Sequence, residues 1–294
     1  MESDFKRDKI TIGIVGGTGL MGQWFRRFFE GAGHGVLFCG RKTELSEAEL
    51  VRRSEVVILS LPLAAAMDAA KRLGPLLTEG QALMDFCSLK AGICRAMLES
   101  TVAEVCGAHP LFGPTTAGLS GQNVILCPMR GARWKDWLSA ELAAGGALVT
   151  ETDPAVHDRH MAVVQGLTHF ATITLGRTLA DLGLAPESLL PYATPIFRAK
   201  LALVGRLFAQ DLSLYAGLVG KNPETEAVLA AFEKAAAAAR EALVGNGDPG
   251  AGLSFLGAVR DFLGDFPARG FAESDAFLAV LSDEARKNQK NGKP

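Results

Sequence analysis

The stretch that most constrains the fold runs from Thr11 to Gly22 and reads T-I-G-I-V-G-G-T-G-L-M-G. Its apolar residues lead directly into Gly17, Gly19 and Gly22, which have the G-x-G-x-x-G spacing. A strand that ends on such glycines lets the backbone approach a pyrophosphate, and the following helix directs its N–H groups and positive dipole end at the charge. The stretch therefore predicts a strand, a tight turn and a helix that together bind a dinucleotide.

The residues that we expect to hold this dinucleotide lie at the carboxyl ends of three predicted strands, because ligands of open α/β sheets bind there. For the glycines after the first strand, the alternative interpretation is a flexible loop without a ligand, since their spacing alone is weakly specific. The predicted cofactor-binding residues are Gly17, Thr18, Gly19, Leu20, Met21, Gly22, Arg41, Lys42, Ser60, Leu61 and Pro62.

The end of the second predicted strand, Val36 to Cys39, indicates which dinucleotide is bound. NAD sites typically have Asp or Glu here to accept hydrogen bonds from the ribose 2′-OH, whereas NADP sites lack the acid and supply Arg for the 2′-phosphate. This sequence has Gly40 followed by Arg41 and Lys42. We therefore expect NADP as the cofactor, with NAD possible. The alternative is that the two basic side chains only contact solvent.

Composition limits the class of ligand and the compartment. A net charge of −2 and a pI of about 6.2 give no basic surface for nucleic acid, so a small molecule is the expected partner. No apolar run is long enough for a membrane span, and the start, Met1 to Lys9, is too charged and short for a signal peptide. Five cysteines without C-x-x-C pairing predict reduced thiols in the cytoplasm and no metal site.

The pattern of predicted elements divides the chain near Asp153. Before it, apolar strands alternate with helices, as in an α/β fold with a mostly parallel sheet, and after it the periodicity is helical. We predict a Rossmann dinucleotide-binding domain over residues 1–152 and an all-helical domain over residues 153–294. The helices and the polar tail predicted in the second half cover residues 156–182, 189–209, 225–244, 252–262 and 284–294.

Several polar residues have positions that suit chemistry. Ser60, Ser88 and His109 each follow a predicted strand and should face one crevice at the carboxyl edge of the sheet. In the helical half, Arg198 and Arg206 fall on roughly the same side of one predicted helix. Arginine in an apolar helix usually pairs with a carboxylate or phosphate, so both are candidate substrate ligands. An interface salt bridge is the alternative for each.

Long motifs then indicate a family: V-G-G-T-G-L-M-G, S-L-P, D-F-C-S-L-K, H-P-L-F-G-P, H-D-R-H-M-A-V-V-Q-G-L-T-H-F-A-T and P-I-F-R-A-K-L-A-L-V-G-R-L-F-A-Q-D. With them the chain resembles the prephenate dehydrogenases, in particular the dehydrogenase part of bifunctional enzymes that have chorismate mutase ahead of it. The resemblance covers nearly the whole chain. It implies a homodimer whose helical domain dimerises and supplies part of the substrate site. Because the first predicted strand begins near Thr11, we expect no mutase domain here.

The resemblance implies oxidative decarboxylation of prephenate to 4-hydroxyphenylpyruvate, as in tyrosine biosynthesis, and a role for individual residues. His109 matches the family's H-P-x-x-G histidine, the base for the substrate hydroxyl, and Ser88 is expected to hydrogen-bond His109 and that hydroxyl. Arg206 matches the arginine that binds the ring carboxylate, and His169 matches a histidine that orients the substrate. The further residues that we assign to substrate binding are Lys90, Arg198, Gln210 and Tyr215.

Other functions are weighed against this one. Arogenate dehydrogenase uses the same chemistry on a substrate with an amino group, which a nearby carboxylate would favour. The loop after His109 has Thr115 and Thr116 in place of Asp or Glu, which favours prephenate as the substrate. A carboxylate from another helix or from the partner subunit could still bind the amino group of arogenate. Dehydrogenases of the 6-phosphogluconate or 3-hydroxyisobutyrate type need a catalytic lysine motif that is not visible here. A nucleotide-sensing regulator should have lost His109, Ser88 and Arg206, and all three are present.

Overall fold

The computed structural model describes residues 9–245 and 249–290. It divides into two compact units, of which the first ends at Met161 and the second begins at Ala162. The last strand of the sheet ends at Glu151, and one further helix belongs to the first unit. The domain boundary at 152/153 stays a prediction.

The first unit is built on one seven-stranded sheet with the order β2-β1-β3-β4-β5-β6-β7. All neighbouring strands pair in parallel except β5 and β6, which are antiparallel. This arrangement confirms the predicted Rossmann-type α/β fold with a mostly parallel sheet. The strands are β1 (Thr11–Val15), β2 (Gly35–Cys39), β3 (Val56–Leu59), β4 (Ala82–Asp85), β5 (Glu104–Pro110), β6 (Asn123–Arg130) and β7 (Leu148–Glu151).

Helices cover both faces of this sheet, which explains why its central strands are apolar throughout. Val56 and Ile58 of β3 belong to one buried cluster, and the alternate residues Val57 and Leu59 belong to the other. Each face of the strand is therefore a core face, as the sequence predicts. The helices of this unit are α1 (Leu20–Gly31), α2 (Glu47–Arg53), α3 (Leu63–Leu73), α4 (Ala91–Ser100), α5 (Arg133–Ala144) and α6 (Pro154–Met161).

The second unit is helical over its described residues. The helix predicted over 156–182 is not one α-helix, because a π-helical segment, Ala162–Leu167, separates α6 from the next helix. This segment contains Gly166, where a Cβ would lie 2.9 Å from the Thr225 hydroxyl oxygen. The π-helical turn, which is wider than an α-helical turn, therefore packs closely against the start of the helix that contains Thr225. The α-helices of this unit are α7 (Thr168–Asp181), α8 (Pro186–Leu189), α9 (Pro195–Phe208), α10 (Leu212–Gly220), α11 (Thr225–Val244), α12 (Pro249–Leu263) and α13 (Phe266–Lys290).

Proline explains a second correction to the predicted helices. The helix predicted over 189–209 begins only at Pro195, where the Thr194 hydroxyl accepts a hydrogen bond from the N–H of Phe197 at 3.2 Å. Proline lacks the N–H that a continuing helix needs, so it suits the first turn and interrupts an interior. Three of the described helices, α8, α10 and α13, were not predicted. The tail predicted over 284–294 is helical as far as Lys290, and its last four residues lie outside the described ones.

Two further features bear on the expectations about compartment. All five cysteines lie among the described residues, and each is a buried free thiol. In the described parts of the chain, no helix combines the length and the apolar character needed to cross a membrane.

Candidate active site

The glycine loop between β1 and α1 has the shape that a pyrophosphate requires. A Cβ at Gly17 would lie 2.5 Å from the Phe38 Cβ, and one at Gly22 would lie 2.5 Å from the Gly16 carbonyl oxygen. Both positions therefore need glycine, because the backbone passes within van der Waals distance of its neighbours. The first turn of α1 contains no acidic residue, so its N–H groups and dipole suit an anion. These residues fit a bound dinucleotide.

Gly16 is a member of this loop that was not predicted from the sequence. Its φ of 84° is a left-handed conformation that side chains rarely adopt. The N–H groups of Gly16 and Gly17 both donate to the Cys39 carbonyl oxygen, at 2.9 and 3.1 Å, which fixes the loop on β2. The loop after β3 is also attached here, since the N–H of Ser60 donates to the carbonyl oxygen of Val15, the last residue of β1, at 2.8 Å. The predicted residues Ser60, Leu61 and Pro62 thus adjoin the glycine loop.

The end of β2 is compact around Gly40. The N–H of Gly40 donates to the Thr43 hydroxyl oxygen at 2.9 Å, and that hydroxyl donates back to the Gly40 carbonyl oxygen at 3.0 Å. A Cβ at Gly40 would overlap the Thr18 hydroxyl, so no larger residue fits here without movement of Thr18. Arg41 and Lys42 are exposed beside this turn. Position 40 itself has no carboxylate, and the two residues after it are cationic and exposed.

His109 lies near the carboxyl end of β5 and is buried, with 3% of its surface exposed. Its Nδ1 is 2.9 Å from Nε2 of His157, which is in α6, and Nδ1 of His157 is 2.7 Å from Oδ1 of Asp158. The three side chains form a continuous hydrogen-bonded chain that ends on a carboxylate. His157 and Asp158 were not among the residues predicted from the sequence.

Electrostatics keep His109 neutral. Burial lowers the pKa of His109 well below the ordinary value of 6.5, and the Lys90 ammonium and His157 lower it further. Burial alone would raise the pKa of Asp158, but hydrogen bonds from His157 and from the N–H groups of Ala91 and Lys90 bring it below its ordinary value. The site therefore combines an ionised carboxylate with an uncharged imidazole.

Ser88 lies in the loop between β4 and α4, and two carboxylates hold this loop. Asp85 Oδ1 accepts a hydrogen bond from the N–H of Cys87 at 2.7 Å. Asp158 accepts from the N–H groups of Lys90 and Ala91 at 2.8 and 2.9 Å, which satisfies the first donors of α4. The loop with Ser88 and the His109 chain are thus fixed by the same carboxylate.

Lys90 is placed differently from a surface substrate ligand. Its side chain is 0% exposed, forms an ion pair with Asp85, and donates to the Ala108 carbonyl oxygen at 2.9 Å. Burial lowers the pKa of Lys90, but the groups around its ammonium, of which Asp85 has the largest effect, together raise that pKa above its ordinary value, so the ammonium stays charged. These contacts place the Lys90 ammonium within the first unit, against Ala108, the residue that precedes His109 in β5.

The strand end at His109 leads into a loop that packs on the cofactor helix α1. The indole N–H of Trp24 donates to the Thr116 carbonyl oxygen at 2.7 Å. The Phe112 ring lies 4.9 Å from the Trp24 ring between centroids. This loop therefore has a fixed path where it leaves the sheet.

The remaining predicted residues belong to the second unit. His169 of α7 contacts Tyr215 of α10, with ring centroids 4.9 Å apart, and burial lowers the pKa of His169 below its ordinary value. Arg198 is half-buried and Arg206 exposed on α9, and the Gln210 amide donates to the Arg206 carbonyl oxygen at 2.9 Å. The structure thus brings His169 to Tyr215 and Gln210 to the last turn of α9.

Comparison with known proteins identifies the family. A model described as the nucleotide-binding domain of prephenate dehydrogenase matches residues 32–147, and one described as its dimerization domain matches residues 153–251. The T-protein of Haemophilus influenzae is 32% identical over 274 residues, which are 92% of this chain and 72% of that relative. The chain belongs to the prephenate dehydrogenase family. As such it is an oxidoreductase that uses a nicotinamide dinucleotide, and the resemblance seen in the sequence is confirmed.

Two further relatives agree with this membership. A probable arogenate/prephenate dehydrogenase of Methanocaldococcus jannaschii is 32% identical over 305 residues, covering 97% of this chain and 68% of that protein. The structure of prephenate dehydrogenase from A. aeolicus, in complex with hydroxyphenyl propionate and NAD+, has a TM-score of 0.71 at 21% identity. That similarity covers 86% of this chain and 97% of the other, and it shows the same fold.

The sequence contained a signal for part of what was missed. His157 and Asp158 open the motif H-D-R-H-M-A-V-V-Q-G-L-T-H-F-A-T, in which the family resemblance assigned a role only to His169. The two residues lie in the first turns of α6, and their place in the helical pattern does not distinguish them from its other polar residues. His157 is 48 residues from His109 along the chain, so the sequence does not show that they are in contact.

Proposed function

We propose that this chain is a prephenate dehydrogenase, which oxidises and decarboxylates prephenate to 4-hydroxyphenylpyruvate and carbon dioxide with transfer of hydride to NADP+ or NAD+. The observation that supports this most is His109, a buried imidazole held neutral at the carboxyl edge of the sheet in a member of this family. A neutral imidazole at that edge is suited to take a proton from a substrate hydroxyl.

The chemistry needs few protein groups. Loss of hydride from C4 of prephenate turns its hydroxyl into a ketone and leads to loss of the C1 carboxylate as carbon dioxide, with aromatisation as the driving force. His109 removes the hydroxyl proton as a general base and returns it to the same oxygen when the ring becomes aromatic, and Ser88 hydrogen-bonds that hydroxyl. Because burial and the Lys90 ammonium lower the pKa of His109, the base stays unprotonated at neutral pH.

We assign substrate binding mainly to the helical unit. Arg206 binds the ring carboxylate, because a guanidinium forms charge-assisted, bidentate hydrogen bonds with such a group. His169 orients the substrate, and its contact with Tyr215 supports a defined ring position. Arg198, Gln210 and Tyr215 complete the proposed set. For Lys90 we propose an electrostatic effect on His109 in place of substrate contact, because its ammonium is buried on Asp85 and lowers the pKa of His109.

For the cofactor we propose NADP, used at least as well as NAD. The glycine loop and the N-terminus of α1 hold the pyrophosphate, and the bound dinucleotide supplies the hydride acceptor. The compact turn at Gly40 supports the choice of NADP, since Gly40 replaces the acid that would repel a 2′-phosphate and is followed by the exposed cations Arg41 and Lys42.

We also propose a homodimer. None of the residues of α7 is buried within the single chain, although the helix contains many apolar side chains. Large apolar residues of the second unit are exposed, among them Phe262 at 88% and Tyr192 at 86%. Exposed apolar surface of this extent usually belongs to an interface, and the matching family model describes this part as a dimerization domain.

A reducing compartment, such as the cytoplasm, agrees with these proposals. All five cysteines are buried free thiols, and burial raises the pKa of Cys39 to about 11, which disfavours the reactive thiolate. We therefore propose that the thiols pack as small apolar side chains.

One experiment tests the proposed function. The purified chain is supplied with prephenate or arogenate, each with NAD or NADP, and the absorbance of reduced nicotinamide is followed. We expect turnover with prephenate, and NADP at least as efficient as NAD. Turnover with arogenate alone would favour the second substrate, which the name of the M. jannaschii relative also includes. No turnover in any combination would contradict the proposal.

A further inference from the structure

We infer that His157 and Asp158 are positioning residues that fix the tautomer of His109, so that its basic atom is Nε2. The inference deepens the proposed function, since it concerns the base of that reaction. It starts from the hydrogen-bonded chain in which His109 Nδ1, His157 and Asp158 follow one another at 2.9 and 2.7 Å.

The direction of each hydrogen bond follows from the last group in the chain. An ionised carboxylate only accepts hydrogen bonds, so Nδ1 of His157 must have the proton that it shares with Asp158. Neutral His157 then has a lone pair on Nε2 and accepts. Nδ1 of His109 must therefore donate to it, which leaves the lone pair of His109 on Nε2. Through two hydrogen bonds the carboxylate selects the tautomer of the base.

Asp158 is well anchored for this task. Its two carboxylate oxygens accept the N–H groups of Lys90 and Ala91 at the start of α4, so the carboxylate cannot rotate without breaking these bonds. The positive end of a helix dipole also favours a negative charge at this place. Hydrogen bonds from these N–H groups and from His157 keep the pKa of Asp158 below its ordinary value against the effect of burial, so it remains ionised.

The surroundings of the two histidines define how the chain responds to protons. Lys90, at the start of α4, and His157, on α6, both lower the pKa of His109, which is on β5. Asp85, on β4, is paired with Lys90, and Asp158 is paired with His157. A proton added to His157 would make its Nε2 a donor. His109 would then accept at Nδ1 and place its own proton on Nε2, so a single proton on either histidine removes the base.

The first test reads the tautomer directly. NMR of the imidazole nitrogens in the protein without substrate, assigned through single histidine variants, should show His109 protonated at Nδ1. An Nε2-protonated His109 in the wild type would overturn the inference. Because this measurement needs no turnover, it separates the inference from the proposed function. A correct tautomer without prephenate oxidation would contradict only the proposed function.

Variants supply the second test. Asp158→Asn should lower kcat by roughly 100-fold or more, as expected when a general base is lost to the wrong tautomer, and should shift His109 toward protonation at Nε2. His157→Leu removes the relay but leaves the helix cap on α4, so it covers the case in which Asp158→Asn does not fold. His157→Gln, which can donate and accept, should restore part of the activity lost in His157→Leu.

His160→Leu is the matched control. His160 is exposed on the same helix and bonds the Val156 carbonyl oxygen through its own ring, so its loss should leave kcat and the pH profile unchanged. In His157→Leu, the acid limb of the kcat profile should move, because His109 then titrates without its partner. An unchanged kcat and pH profile in folded His157→Leu would reduce His157 to a packing residue and overturn the inference.

Discussion

Replacing Lys90 with Met should destabilise the first unit strongly, because the substitution leaves Asp85 as a buried carboxylate without its cation. Both side chains are 0% exposed, and Lys90 also donates to the Ala108 carbonyl oxygen at 2.9 Å. Removing one partner of a buried pair costs about 3–5 kcal/mol. With a urea m-value of about 2–3 kcal/mol/M, the unfolding midpoint should fall by roughly 1–2.5 M. Urea unfolding followed by circular dichroism measures the shift.

The double variant Asp85→Asn/Lys90→Met is the control for this cost. It removes both charges, and an asparagine oxygen can still accept the N–H of Cys87 that Asp85 accepts at 2.7 Å. Replacing a whole buried pair with neutral groups is often close to neutral in stability, so the double variant should recover most of the loss. A single variant that loses less than about 1 kcal/mol would refute the reasoning, since that is the value of an exposed pair. A double variant as unstable as the single one would also refute it.

The same double variant has a predicted pH profile. The Lys90 ammonium contributes to the lowered pKa of His109, so its removal should let that pKa rise toward the ordinary histidine value. The base works only when neutral, and activity is therefore lost as the pH falls through its pKa. The acid limb of kcat/KM should lie well below pH 6.5 in the wild type and move to higher pH in the variant. An unchanged limb would show that Lys90 does not act on His109.

Three further predictions concern cofactor, substrate and assembly. Arg41→Ala should lower kcat/KM with NADP by about tenfold relative to NAD, since an exposed charge-assisted contact to a phosphate contributes about 1–2 kcal/mol. An unchanged ratio of the two kcat/KM values, or a tenfold preference of the wild type for NAD, would contradict this role of Arg41. Arg206→Ala should raise the KM for prephenate by well over tenfold with little change in cofactor affinity, because loss of a charge-assisted contact with the ring carboxylate costs about 2–5 kcal/mol. An unchanged KM in the folded variant would favour the alternative, in which Arg206 forms a salt bridge. Light scattering at micromolar concentration should give a dimer, and an active monomer would exclude the proposed assembly.

The sheet could be predicted from the sequence because its signals are local. Strand β3 is apolar at every position, as a strand with helices on both faces must be. The glycine spacing between Gly17 and Gly22 places the first turn and the cofactor helix. Because parallel strands share one carboxyl edge, the positions of Ser88 and His109 near the ends of β4 and β5 also followed.

What the sequence did not predict depends on contacts between distant residues. The chain from His109 to Asp158 crosses from β5 to α6, and only the folded backbone brings these groups together. The resemblance led us to assign Lys90 to substrate binding, yet its ammonium is fully buried on the carboxylate of Asp85. In the helical unit, the helical spacing of apolar residues extends to both sides of Pro195, but helix α9 begins at this proline. Proline lacks the N–H that a continuing helix needs, and the spacing of apolar residues does not depend on that N–H.

The turnover of His109→Asn with prephenate tests the central claim most directly, since His109 is the proposed base of a prephenate dehydrogenase. Asparagine removes the basic nitrogen and can still donate to His157 from a similar place. We expect kcat to fall by roughly 100- to 10,000-fold while the Kd of the dinucleotide stays within about twofold of the wild-type value. Turnover close to that of the wild type would contradict the claim.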